Sequence, residues 1–142
     1  MSVDPGREFV DSNVVVYAHD SSAGAKAERA RSLIQELWSS GRGCLSVQVL
    51  QEFFVTVTRK VPQPLESGRA GQVVADLARW RVHAPQPEDV LEAIEIHRRR
   101  RISLWDALIV QSALQLGCAV VWSEDLSPGR VHPGVLVKNP FA

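Results

Sequence analysis

The sequence predicts an α/β domain with a mostly parallel β-sheet flanked by α-helices. Three observations carry that expectation. Short apolar runs alternate with longer segments of helical periodicity, the pattern of strands covered by helices. Two of the runs, Phe9-Val10 and Ala119 to Ser123, lead straight into acids, Asp11 and Glu124-Asp125. The chain has 142 residues, 45% of them hydrophobic, enough to bury one core without staples. No repeat, low-complexity tract or long linker divides it, so residues 1–142 are read as one domain.

Arg7 to Val10 reads as the first strand. Asp11-Ser12-Asn13 follows, three residue types that cap helices, and Val14 to Ala18 starts a helix despite its valines. Ala23 to Ser39 is helical, with Ala27, Ala30, Leu33, Ile34, Leu37 and Trp38 at three- and four-residue spacing. Gly41 and Gly43 end it. Gly43-Cys44-Leu45, between two helices, is a short buried strand.

Ser46 reads as the N-cap of a helix from Val47 to Lys60. β-Branched residues make a strand a competitor there, but length and the Leu50/Phe53/Phe54/Val57 spacing favour the helix. Val61-Pro62-Gln63-Pro64 breaks the chain. Glu66 to Arg79 is the next helix and Trp80 to His83 a third strand. Pro87-Glu88-Asp89 opens a helix with a proline and two acids, which suits its macrodipole. Val90, Leu91, Ile94 and His97 lie along one side of it, and Arg98-Arg99-Arg100-Arg101 ends it. Ser103 caps Leu104 to Leu116, Gly117 stops that helix, and Ala119 to Ser123 is the clearest strand. Val135 to Val137 is the last strand.

Lys+Arg and Asp+Glu are both 16, so bulk charge announces neither a nucleic-acid binder nor a membrane-surface protein. No apolar run approaches the roughly 20 residues that span a bilayer. Met1 to Glu8 is polar and lacks the apolar region of a signal peptide, so a soluble, cytoplasmic protein is expected. Cys44 and Cys118 form no C-x-x-C pair and read as buried, reduced side chains.

Four acids stand out by position: Asp11 and Asp125 after strands, Asp106 at a helix start, and Glu52 within a phenylalanine-rich helix. Strand ends and helix starts that meet at one sheet edge can converge. Converging carboxylates repel, which raises their pKa values or recruits a cation. Oxygen ligands of this kind suit Mg²⁺ or Mn²⁺. Such an ion activates water and neutralises phosphoryl charge, so no nucleophilic side chain is needed. Each acid also has an ordinary reading. Asp11 serves equally as a helix cap, Asp106 as a dipole partner, Glu52 as an exposed helix residue and Asp125 as a turn acid.

The motifs in order resemble those of PIN-domain ribonucleases, above all the VapC-type toxins of toxin–antitoxin pairs. Phe9-Val10-Asp11-Ser12-Asn13-Val14 is similar to the family's opening motif, Leu45 to Phe53 to its second acidic motif, Ser103 to Ile109 to its third, and Trp122 to Leu126 to its fourth. Val137 to Phe141 resembles its closing strand and tail. The resemblance implies a single PIN-like domain with an acidic pocket at the carboxyl edge of its sheet. It implies Mg²⁺- or Mn²⁺-dependent cleavage of RNA. It assigns Asp11, Glu52, Asp106 and Asp125 as the catalytic and metal-ligating acids, with Asn13 and Ser123 as supporting polar residues. It also implies a homodimer and a small antitoxin that inserts an amphipathic or arginine-bearing segment into the groove.

Arg98, Arg99, Arg100 and Arg101 precede the Asp106 helix and are candidates for RNA phosphates, or else complement a helix dipole. Arg59 and Lys60 read as dipole partners and Lys26 as solvated surface. Glu124 is an alternative to Asp125. Trp105 reads as a buried or dimer-contact residue, or as a base-stacking platform. His19, His83, His97 and His132 show no metal-ligand spacing. Two rival enzyme classes fit poorly. Haloacid-dehalogenase-type phosphatases want Asp-x-Asp, but position 13 is Asn. They and response-regulator receivers also want a late lysine at the sheet edge, and Lys138 lies beyond the last strand. A PIN fold that processes RNA without an antitoxin, or one that only binds, would use the same framework.

Overall fold

Phe9 and Val10 are wholly buried in the strand at the middle of the sheet, and the rest of the chain is arranged outward from them. The computed structural model describes residues 6–129, 131–132 and 134–142. Its strands are β1 (Arg7–Val10), β2 (Gly43–Ser46), β3 (Arg81–His83), β4 (Cys118–Trp122), β5 (Val131–His132) and β6 (Val135–Lys138). Its helices are α1 (Ser12–Ala18), α2 (Ala25–Ser40), α3 (Val47–Arg59), α4 (Ser67–Leu77), α5 (Pro87–Arg100) and α6 (Leu104–Gln115). A short 3₁₀ turn, Ser21–Ala23, precedes α2.

The strand order is β3-β2-β1-β4-β6-β5. Five strands are parallel, and β5 pairs antiparallel with β6 at one edge. The chain steps from β1 out to β3, then returns to the other side of β1 as β4. The carboxyl ends of β1 and β4 therefore flank a topological switch point, where ligands bind in open α/β sheets. The ladder there continues past both strands: the Asp11 N–H donates to the Trp122 carbonyl at 2.9 Å and the Ser123 N–H to the Lys138 carbonyl at 3.0 Å.

The expected elements are present. The β-branched run after Ser46 is helical, with Val49, Phe53 and Val57 wholly buried on one face. Gly43 has a steric reason: a Cβ there would lie 2.5 Å from the Trp80 ring, and that ring packs edge-on against Trp38. Cys44 and Cys118 are buried and free.

Two features depart from the sequence reading. The two-residue strand β5 was not expected, because it is too short to carry a pattern. Helix α5 also turns a different face inward. Leu91 is 67% exposed and Val90 37%, whereas Asp89 and Ala93 are buried. The reason is a polar cluster between β3, α5 and α6. His83 Nδ1 lies 2.8 Å from Ser112 Oγ, and its Nε2 lies 3.1 Å from Asp89 Oδ2. The other Asp89 oxygen accepts from Gln111 Nε2 at 3.1 Å, and the Gln86 backbone N–H donates to Oδ2 at 2.8 Å. Satisfying this buried carboxylate fixes the rotation of α5 more strongly than burying Val90 and Leu91 would.

Candidate metal centre at the carboxyl edge

Asp11 follows β1 and is the N-cap of α1, one of the two roles its position in the sequence allowed. Its Oδ1 accepts from the Ser12 N–H at 2.7 Å. Its Oδ2 accepts from Ser123 Oγ at 2.8 Å. Cap and bridge thus use different oxygens of one carboxylate, and Oδ1, with one hydrogen bond, keeps a lone pair.

Ser123 follows β4 and is wholly buried. Its one hydroxyl proton goes to Asp11, while its oxygen accepts the backbone N–H groups of Asp125 at 3.1 Å and Leu126 at 3.2 Å. That places the turn carrying Asp125 beside Asp11. Asn13, in the first turn of α1, completes the link. The Glu124 N–H donates to Asn13 Oδ1 at 3.1 Å, which sets the amide orientation and turns Nδ2 toward the acids. Asn13 Nδ2 then lies 3.2 Å from Asp125 Oδ2 and 3.3 Å from Asp11 Oδ2.

Glu52 joins from α3. Ser12 Oγ donates to Glu52 Oε1 at 3.1 Å, and Gln48 Nε2 approaches Glu52 Oε2 at 3.4 Å. The same Gln48 amide donates to the Trp105 carbonyl at 3.2 Å, tying α3 to the start of α6. Asp106 lies in that first turn, with its N–H capped by Ser103 Oγ at 3.0 Å.

The electrostatics follow from burial. Burial drives the Asp11 carboxyl up to about 6, against the lowering effect of its Ser123 and Ser12 hydrogen bonds. The charges of Glu52 and Asp125 push it the same way. Asp106 is also raised, first by partial burial and then by Asp125. Acids held this way favour a cation over an empty arrangement.

Asp11, Asp125 and Glu52 are thus joined through Asn13, Ser123 and Ser12, while Asp106 feels the Asp125 charge from the start of α6. Among the described residues, no three acids, histidines or cysteines come close enough to hold one ion directly. The donor set still fits Mg²⁺ or Mn²⁺. Mg²⁺ commonly takes one or two carboxylates and completes its shell with waters and substrate phosphates.

Other candidates sort themselves out. Glu124 Oε1 accepts from Tyr17 Oη at 2.7 Å, and its Oε2 pairs with Lys26 Nζ at 2.6 Å, so this carboxylate is already engaged outside the site. Lys26 is therefore a pairing residue rather than free surface. Arg98 and Arg99 lie 3.4 and 3.7 Å from Glu95 in exposed pairs, which are weak. Trp105 is 63% exposed, so in this chain alone it is not a core residue. His83 belongs to the buried cluster with Asp89; the His132 side chain lies outside the described residues. The sequence reading missed the bridging roles of Ser12 and Gln48. Gln48 stands four residues before Glu52 on one helix, a spacing that would have revealed it.

A concavity of about 870 Å³ lies beside Trp38 and Arg31 and is lined by none of the four acids. Two of the acids line smaller grooves, Asp125 one of about 360 Å³ and Glu52 one of about 370 Å³.

The PIN domain family model matches residues 9–131. Comparison with curated protein sequences gives no match. Solved structures share the fold at low identity. VapC20 of Mycobacterium tuberculosis, described as a toxin cleaving the sarcin–ricin loop, aligns at TM-score 0.61 and 21% identity over 83% of this chain and 89% of its own. A toxin–antitoxin complex from Klebsiella pneumoniae aligns at TM-score 0.69 and 13% identity over 94% and 97%. DNA-bound VapBC from Salmonella typhimurium aligns at TM-score 0.65 and 20% identity over 95% and 98%. With the motif order, the switch-point site and the family match in agreement, the chain belongs to the PIN-domain family.

Proposed function

We propose that this protein is a metal-dependent endoribonuclease and the toxin of a type II toxin–antitoxin pair. The observation that carries the nuclease reading is the hydrogen-bonded assembly of Asp11, Asp125 and Glu52 at the sheet's switch point. The toxin reading is supported by relatives of the same fold whose structures are toxin–antitoxin complexes. A small antitoxin and a second copy of the chain are the partners that go with it.

Asp11 and Glu52, with Asp106, would hold the ion directly or through water, and Asp125 would orient water or hold a second ion. A bound Mg²⁺ or Mn²⁺ supplies water acidification and neutralises charge on the phosphodiester. Ser123 and Asn13 keep Asp11 and Asp125 at fixed separation, so the acids do not swing apart when RNA arrives. Ser12 and Gln48 do the same for Glu52. Arg98 to Arg101 supply positive charge for the RNA backbone near the start of α6.

The test is cleavage of a mixed RNA pool by purified protein with Mg²⁺, with Mn²⁺ and with excess EDTA, alongside growth after induction. Cleavage that needs the ion, and growth arrest that Asp11→Asn and Asp106→Asn relieve, are expected. Equal cleavage by these variants overturns the metal mechanism. Unimpaired growth with well-expressed protein overturns the toxin assignment.

A further inference from the structure

Helix α3 carries Gln48, Glu52, Thr56 and Lys60 at four-residue intervals, so they line one stripe of the helix into its C-cap. The stripe covers about 18 Å at 1.5 Å per residue. That is the length of roughly five stacked nucleotides. Its Gln48 end touches the Trp105 carbonyl at the start of α6. Its Lys60 end borders both acidic grooves, together with Ser12 and Thr56.

Charge makes Lys60 distinctive. The charged residues lining the two grooves are Asp20, Glu52, Glu124, Asp125 and Lys60, so Lys60 is their sole cation among the described residues. No ion pair is formed by Lys60 among those residues, although Asp20 and Asp125 border the same groove. Lys26, by contrast, is committed to Glu124. An RNA strand crossing these grooves meets carboxylates on both sides and needs a cation to offset them. Lys60 stands where the grooves meet.

We infer that the α3 stripe is the track of the RNA backbone and that the Lys60 ammonium holds a phosphate flanking the scissile one, with the Thr56 hydroxyl beside it. This rests on the nuclease reading above. It also gives the strand a path: arginines near the start of α6 at one end, Lys60 at the other, and the acids between. Lys60 is a positioning residue. It contributes binding, and the acids contribute the chemistry.

The experiment follows cleavage of a fluorescein-labelled random 20-nucleotide RNA with Mg²⁺ at several salt concentrations, for the wild type, Lys60→Met and Lys60→Arg. Lys60→Met should raise KM roughly tenfold, the size of one charge-assisted hydrogen bond, with little change in kcat. The slope of log kcat/KM against log salt should become shallower by about 0.7, one phosphate contact on a single strand. Lys60→Arg should restore both. The melting temperature should not move, since the side chain is exposed. Wild-type KM and salt slope in Lys60→Met overturn the track while leaving the nuclease intact. Absence of cleavage by the wild type with either ion overturns the nuclease reading and the track with it.

Discussion

Two buried carboxylates, Asp11 and Asp89, sit at the carboxyl ends of β1 and beyond β3, and they are treated in opposite ways. Asp89 accepts from the Gln86 N–H, from Gln111 and from His83, and these partners hold its carboxyl below the usual range. Asp11 also accepts three hydrogen bonds, from the Ser12 N–H, Ser123 and Asn13, but burial and two neighbouring acids outweigh them and drive its carboxyl up to about 6. Asp89 is satisfied by the protein. Asp11 is left in want of positive charge. The contrast separates structure from function: Ser112, His83 and Asp89 form a hydrogen-bonded chain like that of a hydrolase triad, but Ser112 is 1% exposed and meets no substrate. Under the proposed nuclease reading, the carboxylate at the switch point, whose carboxyl is pushed up by burial, is the one that does the chemistry.

The sharpest way to break this comparison is to remove each charge. Asp11→Asn should lower RNA cleavage by more than about a hundredfold, beyond the loss typical of groups that merely support a ligand. Asp89→Asn should leave the folded fraction cleaving RNA within a few-fold of wild type. Equal losses in rate assays corrected for folded protein would erase the distinction.

Ser123→Ala removes the hydroxyl that links Asp11 to the Asp125 turn. Metal affinity should fall by about 10- to 100-fold, as read by the Mn²⁺ dependence of cleavage. An unchanged Mn²⁺ dependence would mean that the acids need no bridge.

Stability should move in opposite directions at the two sites. The folded Asp11 pKa lies above its ordinary value of 3.8. Between pH 4 and 6 the folded state therefore binds more protons than the unfolded chain, and stability from this group is lost as pH rises. The rise from 3.8 to about 6 corresponds to about 3 kcal/mol. In metal-free buffer Asp11→Asn should be more stable than wild type at pH 7, with the difference closing toward pH 4. Denaturant melts at both pH values decide it; a variant less stable at pH 7 contradicts the sign. Asp89 runs the other way, because its depressed carboxyl stabilises the fold above its ordinary pKa and loses that contribution in acid. Asp89→Asn should lower the melting temperature at pH 7, by less at pH 3. An unaltered melting temperature would show that the His83 cluster does not anchor α5.

Much of this was legible in the chain. The strand ends are marked by Asp11 and Asp125, and the helix starts by Ser46 and Ser103, because caps and buried strands leave local patterns. Asn13 and Ser123 were readable as companions of the acids from the motif resemblance. The Asp89 cluster was not. It joins residues from β3, α5 and α6 with no periodic spacing, and it turned the inward face of α5 away from Val90 and Leu91 because a satisfied buried charge outweighs two exposed aliphatic side chains. The engagement of Glu124 by Tyr17 and Lys26 was hidden for a similar reason, since those partners lie about a hundred residues away along the chain.

The most direct measurement is the thermal shift produced by Mn²⁺ at pH 7. If Asp11 awaits a cation, Mn²⁺ at a hundredfold excess over its Kd should raise the wild-type melting temperature by roughly 8 °C. Asp11→Asn should show little shift, and Asp89→Asn should shift like wild type from its lower baseline. Equal shifts in wild type and Asp11→Asn would contradict the claim that Asp11 is the centre of a metal site.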